Sequence, residues 1–112
     1  MAQNINQKTV ADLLLHISKA EYEELVRAFI ADTREQMLQI SYKEFTKHGD
    51  EVIMHVHTIK GNAVSLGFDG LHKLSARFEE HLKSSEINKN SAIFEEYLEQ
   101  VEKTLVNLKV YY

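Results

Sequence analysis

The chain has no proline and only four glycines, at positions 49, 61, 67 and 70, in 112 residues. Sheet proteins rely on glycine and proline for their many tight turns, so this scarcity favours long helices separated by few breaks. The breaks themselves can be located. Val10, Leu13, Leu14 and Ile17 have helical spacing and predict a short first helix near residues 7–16. Ser18 and Glu21 form a Ser-x-x-Glu capping box that starts a long second helix. Tyr22, Val26, Phe29, Ile30, Met37, Ile40 and Phe45 keep its apolar period, with one polar gap at Thr33. Lys43, Lys47 and His48 suit the negative end of its dipole, and Gly49 suits the position just past that end. Asp50 then caps a third helix, which Gly67 terminates. Asp69 caps a fourth, carrying Leu71, Leu74, Phe78 and Leu82 to about Ser84. Residues 85–90 read as a loop, and Phe94, Leu98, Val101, Leu105 and Leu108 mark a fifth helix. The expected fold is all-α: an antiparallel four-helix bundle with a short extra N-terminal helix, residues 1–112 forming a single domain.

Composition narrows the function classes. Apolar residues are 44% and charged residues 27%, which is ordinary for a globular domain and excludes a disordered chain. A net charge of −4, with lysine and arginine scattered among acids, provides no basic stripe for nucleic acid. The absence of cysteine removes disulfides, thiol nucleophiles and thiolate metal sites. No apolar run reaches the roughly 20 residues of a membrane span, and the N-terminus lacks a signal peptide's basic and apolar regions. A cytoplasmic protein is expected, and the start of the chain, with no linker, reads as that of a free-standing one.

The third helix carries the functional signal. At about 100° per residue, Val52, Val56, Ile59, Ala63 and Leu66 form one stripe about 80° wide, which belongs in the core. His57 projects about 140° from the centre of that stripe, toward solvent. Ile53, Lys60 and Gly61 share its face, with Val64 a turn further on. Glycine inside a helix costs about 0.5–1 kcal/mol relative to alanine, yet Gly61 leaves room for another surface to approach the imidazole. Lys60 can offset phosphate charge, and Ile53, Met54 and Val64 surround the histidine with apolar surface suited to docking. The docking surface is extended to Phe68 and Arg77 on the neighbouring helix.

The segment His57-Thr58-Ile59-Lys60-Gly61-Asn62-Ala63-Val64-Ser65-Leu66-Gly67 resembles the signature of histidine-containing phosphotransfer (HPt) domains. The family pattern is a histidine, any residue, an aliphatic, Lys-Gly, a small residue two positions on, and an apolar-Gly pair closing the helix. Phe78-Glu79 resembles the apolar-Glu pair of the next helix, and the likeness extends over about residues 18–108. Asn62 stands where serine is common. The resemblance implies that His57 accepts a phosphoryl group through Nε2 from an aspartyl phosphate and passes it to another receiver domain. It also implies response-regulator receivers or a hybrid sensor kinase as partners, with Mg²⁺ supplied by the receiver and no cofactor on this chain. The chain has neither a Gly-x-x-x-x-Gly-Lys-Ser/Thr loop nor a Gly-rich kinase lid, so another protein must charge it.

Two other readings compete. A metal-binding bundle would place histidines three or four residues apart on a helix, and no pair among the six has that spacing. A docking module without phosphorylation would use the same patch with no need of the imidazole. His16, His48 and His55 have bland places at helix ends or edges, and Glu23-Glu24, Glu79-Glu80 and Glu95-Glu96 read as solvated faces. A patch of this size suits transient complexes, so a monomer is expected.

Overall fold

In the computed structural model, which describes residues 5–42, 45–84 and 92–108, side-chain caps start the first two helices. Asn6 Oδ1 accepts the Thr9 N–H at 3.0 Å and opens α1 (Gln7–Leu14). The expected capping box opens α2 (Lys19–Tyr42): Ser18 Oγ accepts the Glu21 N–H at 3.1 Å, and the Glu21 carboxylate accepts the Ser18 N–H at 2.9 Å. The backbone and hydroxyl of Ser18 together hold the Glu21 carboxyl below its ordinary range.

α3 runs from Phe45 to Ser65, so the break between the second and third helices precedes the expected one. Phe45 opens α3 instead of closing α2, and Gly49 and Asp50 lie inside α3, terminating and capping nothing. Gly49 does not have the positive φ of a glycine past a helix end. A helical glycine costs only about 1 kcal/mol, which is less than the gain from burying Val52 and Val56 further along the same helix.

Gly67 does end α3. It has φ +89°, the Phe68 N–H reaches the Ala63 carbonyl at 2.8 Å, and the Gly67 N–H reaches that of Val64 at 3.2 Å. Those two bonds make a Schellman closure. The Phe68 carbonyl then accepts the first bond of α4 (Asp69–Ser84), from the His72 N–H at 3.0 Å. Phe68 is therefore the residue flanking α4, and Asp69, the expected cap, sits in the first turn. There its charge suits the dipole, and its carboxylate accepts a hydrogen bond from Asn6 Nδ2 at 3.1 Å. α5 spans Ala92–Asn107, and the expected loop at 85–90 lies outside the described residues.

Cross-helix contacts fix the directions. Tyr22 meets Leu66 and Gln36 meets His55, so α2 and α3 are antiparallel. Lys60 meets His72 while His57 meets Glu79, which makes α3 and α4 antiparallel. The buried Ser75–Tyr97 hydrogen bond (2.9 Å) and the Phe78–Phe94 ring contact do the same for α4 and α5. Arg34 bridges α2 to α5 through Glu102 at 2.7 Å. The result is the expected up-down bundle. The stripe of Val52, Val56, Ile59 and Ala63 is buried in the core, with Leu66 partly buried at its edge.

α1 leans on one end of the bundle. Ile5, Val10, Leu13 and Ile17 pack against the core, and the Asn6 N–H donates to the Gly67 carbonyl at 2.6 Å. No helix among the described residues is long and apolar enough to cross a membrane.

The two glycines should respond oppositely to alanine. A Cβ on Gly67 would meet the Asn6 carbonyl oxygen at 3.1 Å and Val10 Cγ2 at 3.3 Å, in a left-handed conformation. Gly67→Ala should therefore lower the unfolding free energy by about 1–3 kcal/mol. Gly49 has open space around it, and Gly49→Ala should raise stability by about 0.5–1 kcal/mol. Urea unfolding midpoints check both signs.

Candidate functional site

Burial of Val52, Val56, Ile59 and Ala63 turns the opposite face of α3 outward. His57 lies on that side with its side chain 67% exposed. The three-residue link between α3 and α4 sets the register of the hairpin, and that register brings Glu79 against His57 and Lys60. Glu79 follows Ser75 by one turn, continuing the side of α4 that Leu71, Ser75 and Phe78 bury. Its side chain is only 7% exposed.

Three donors surround this carboxylate. His57 Nδ1 lies 3.2 Å from Oε2, Lys60 Nζ lies 2.5 Å from Oε1, and Lys83 Nζ lies 3.8 Å from Oε2. Burial by itself would push the Glu79 carboxyl up. The hydrogen bond and charge of Lys60, the hydrogen bond of His57 and the charge of Lys83 outweigh it and hold the group below the ordinary carboxylate range.

The carboxylate also determines what the imidazole can do. An ionised carboxylate only accepts hydrogen bonds, so a neutral His57 must carry its proton on Nδ1 to satisfy this contact. Nε2 then holds the free lone pair. The site combines an exposed ring, a buried anion that orients it, and two ammonium groups within reach of that anion. Such an arrangement can present a nucleophilic nitrogen and balance incoming negative charge.

The residues around the histidine divide into two groups. Gly61 is exposed, and a Cβ there would meet nothing within 4 Å, so packing within the chain does not require a glycine. Met54 and Val64 are exposed apolar residues on the same outer side, and Ile53 is half-buried. Lys60, expected to offset phosphate charge, is held against Glu79.

Phe68 and Arg77 must be withdrawn from the docking surface. Phe68 is buried, its ring centroid 5.3 Å from that of Phe29, because the residue joining α3 to α4 seals the end of the core. Arg77 is exposed, but it lines a small groove between α4 and α5 with Phe78, His81, Ile93 and Tyr97. That flank is about 160° around α4 from Glu79.

Glu79 is the residue that reading charge alone misplaces. Glu79-Glu80 looked like a solvated pair, yet Glu79 is buried and Glu80 is exposed. The available signal was the spacing of Glu79 four residues after Ser75 and eight after Leu71, on the packed side of α4. His72 was also overlooked: its Nδ1 donates to the Lys60 carbonyl at 3.1 Å and braces the helix turn beneath the site.

Because the folded Glu79 carboxyl titrates below its ordinary value, its contribution to stability is complete above that value. The contribution is lost as pH falls through the lowered one. The stability advantage of wild type over Glu79→Gln should therefore hold above the ordinary value of 4.5 and shrink as pH falls progressively below it. Paired urea titrations across that range provide the measurement.

The Hpt domain family model matches residues 24–109. The chain is also similar to the phosphorelay intermediate protein rdeA of Dictyostelium discoideum, 26% identical over 94 residues. That match covers 81% of this chain and 37% of the relative, so the chain spans little more than a third of that protein's length. No solved structure matches the chain at comparable significance. Matched over most of its length and built as an all-α bundle with an exposed histidine on its third helix, the chain belongs to the Hpt domain family.

Proposed function

We propose that the chain is a phosphocarrier: His57 takes a phosphoryl group from a receiver-domain aspartate and gives it to another receiver. The observation that carries this reading is the contact of Glu79 Oε2 with His57 Nδ1 on a side chain that is 67% exposed, which leaves Nε2 to act as the nucleophile. Nε2 attacks the phosphorus of the aspartyl phosphate, the N–P bond forms as the P–O bond to aspartate breaks, and the aspartate leaves as a carboxylate. Nδ1 keeps its proton throughout, so uptake needs no general base. The phosphorylated ring gains positive character, which Glu79 opposes at 3.2 Å, and the reverse exchange delivers the group onward.

The remaining roles follow from position. Lys60 and Glu79 form the charge-balanced wall of the site, and Gly61 admits the receiver. Met54, Val64 and the half-buried Ile53 provide apolar contact. Phosphoryl transfer depends chiefly on positioning and charge, and the receiver's acidic site would hold the Mg²⁺. The chain is thus a carrier acting as a monomer in the cytoplasm, charged by a receiver or a hybrid sensor kinase and without kinase activity of its own. The name of the rdeA relative, a phosphorelay intermediate, supports the same role.

Incubation with radiolabelled phospho-receivers tests the reading. Wild type should acquire label that is lost in acid and stable in base, and His57→Gln should acquire none while still docking. Equal labelling of the variant would move the site to another residue. Docking without any uptake by wild type would leave a docking module. Gly61→Leu should raise thermal stability through helix propensity, by about 0.5–1 kcal/mol, yet slow transfer from receivers by about tenfold or more. Unchanged transfer would remove Gly61 from the site.

A further inference from the structure

Lys60 is gripped at both ends by one flank of α4. Its ammonium lies 2.5 Å from Glu79 Oε1, and its backbone carbonyl accepts a hydrogen bond from His72 Nδ1 at 3.1 Å. A carbonyl can only accept, so a neutral His72 carries its proton on Nδ1. His72 and Glu79 are two turns apart on α4, within about 20° of the same direction. His72 is itself fixed next to the α3–α4 link, its N–H on the Phe68 carbonyl at 3.0 Å.

The carbonyl that His72 reaches belongs to the peptide joining Lys60 to Gly61. Glycine leaves the backbone its greatest freedom, and a Cβ at Gly61 would meet nothing within 4 Å. The site needs that opening, and it needs a rigid helix in the same place. Both peptides of the glycine carry an additional hydrogen bond. His72 holds the carbonyl before Gly61, and Ser65 Oγ donates to the carbonyl of Gly61 itself at 3.0 Å. The Ser65 bond is local to α3 and cannot fix that helix against another. The His72 bond crosses between helices.

We propose that His72 is a positioning residue for phosphoryl transfer: it clamps the Lys60–Gly61 peptide to α4 and returns the rigidity that Gly61 gives up. This inference rests on the phosphocarrier reading. The clamp acts through Lys60, whose ammonium holds Glu79, whose carboxylate in turn orients His57. Transfer depends on alignment, so a small displacement along that chain lowers the rate.

His72 also has an ordinary role available, joining α3 to α4, and that role predicts a loss of rate only in step with a loss of stability. The test separates the two. Phosphoramidate, a small phosphoryl donor, needs no receiver: its P–N bond breaks and ammonia leaves as the Nε2–P bond forms, so docking does not enter. Phosphohistidine formation would be followed by ³¹P NMR, beside urea unfolding, in wild type, His72→Leu, His72→Gln, His72→Asn and His57→Gln. The pair Gly61→Ala and Gly61→Ala with His72→Leu completes the set. Asparagine places an amide N–H on the Cγ that bears Nδ1 in histidine, glutamine carries its amide one carbon further out, and leucine has no donor.

His72→Leu and His72→Gln should form phosphohistidine about three- to tenfold more slowly. His72→Asn should restore most of the rate although asparagine is a poorer helix former than leucine, so rate and stability part company. With Gly61→Ala stiffening the peptide by itself, adding His72→Leu should slow the reaction by only about twofold or less. Wild-type rates in His72→Leu and His72→Gln, a loss that His72→Asn does not rescue, or an equal loss with and without Gly61→Ala would overturn the role of His72 and leave the carrier reading intact. Failure of wild type to form phosphohistidine, or its formation in His57→Gln, would overturn both.

Discussion

The contact between the buried Glu79 carboxylate and His57 organises this molecule's chemistry. A carboxylate in a helix seam is costly unless it is paired, and here the pairing groups are those a phosphoryl carrier needs. Lys60 neutralises it, His57 donates to it, and Lys83 lies at its outer edge. Without the anion, the imidazole would be free to choose its tautomer and rotamer, and Lys60 would have nothing to hold it against the helix. One buried charge therefore sets the proton position on the ring, the direction of the free lone pair and the local balance of charge.

That contact exists because of how α3 meets α4. The Schellman closure at Gly67 reverses the chain within three residues, and the buried Phe68 ring anchors the turn against Phe29. His72 then ties back to the Lys60 carbonyl, and Glu79 lands opposite His57 two turns later. The N-terminal segment secures the same turn, with the Asn6 N–H on the Gly67 carbonyl and its amide on Asp69. The site is thus built on two regular helices in a fixed register, a precise way to hold a ring and a carboxylate within hydrogen-bonding distance.

The sequence made the helices legible where apolar period and cap chemistry coincide. Val52, Val56, Ile59 and Ala63 gave the buried face of α3, and the exposed side of the helix at His57 followed by geometry. Ser18 with Glu21 gave the start of α2. Failures came where one residue type serves two purposes. Gly49 fits a helix end and a helix interior alike, and only its backbone angle distinguishes them. Asp69 suits a cap or a first turn equally, so the boundary depended on which carbonyl the His72 N–H reached. Placing Phe68 and Arg77 in the docking surface rests on their position in the neighbouring helix, which says nothing about which side of α4 faces α3. Glu79 shows the same ambiguity with greater consequence, because a glutamate on the packed side of a helix is indistinguishable by composition from one in water. The resemblance marked Phe78-Glu79 as a pair, but the carboxylate's contact with the ring became visible only when two helices were placed side by side.

The tautomer of His57 is the most direct test of this account. Two-bond ¹⁵N–¹H correlation spectra of uniformly labelled protein, recorded with His57 neutral and assigned against His57→Gln, report which ring nitrogen bears the proton. The account predicts a protonated Nδ1 and an unprotonated Nε2, with that preference lost in Glu79→Ala. A neutral His57 protonated on Nε2, or a tautomer balance indifferent to Glu79, would contradict it.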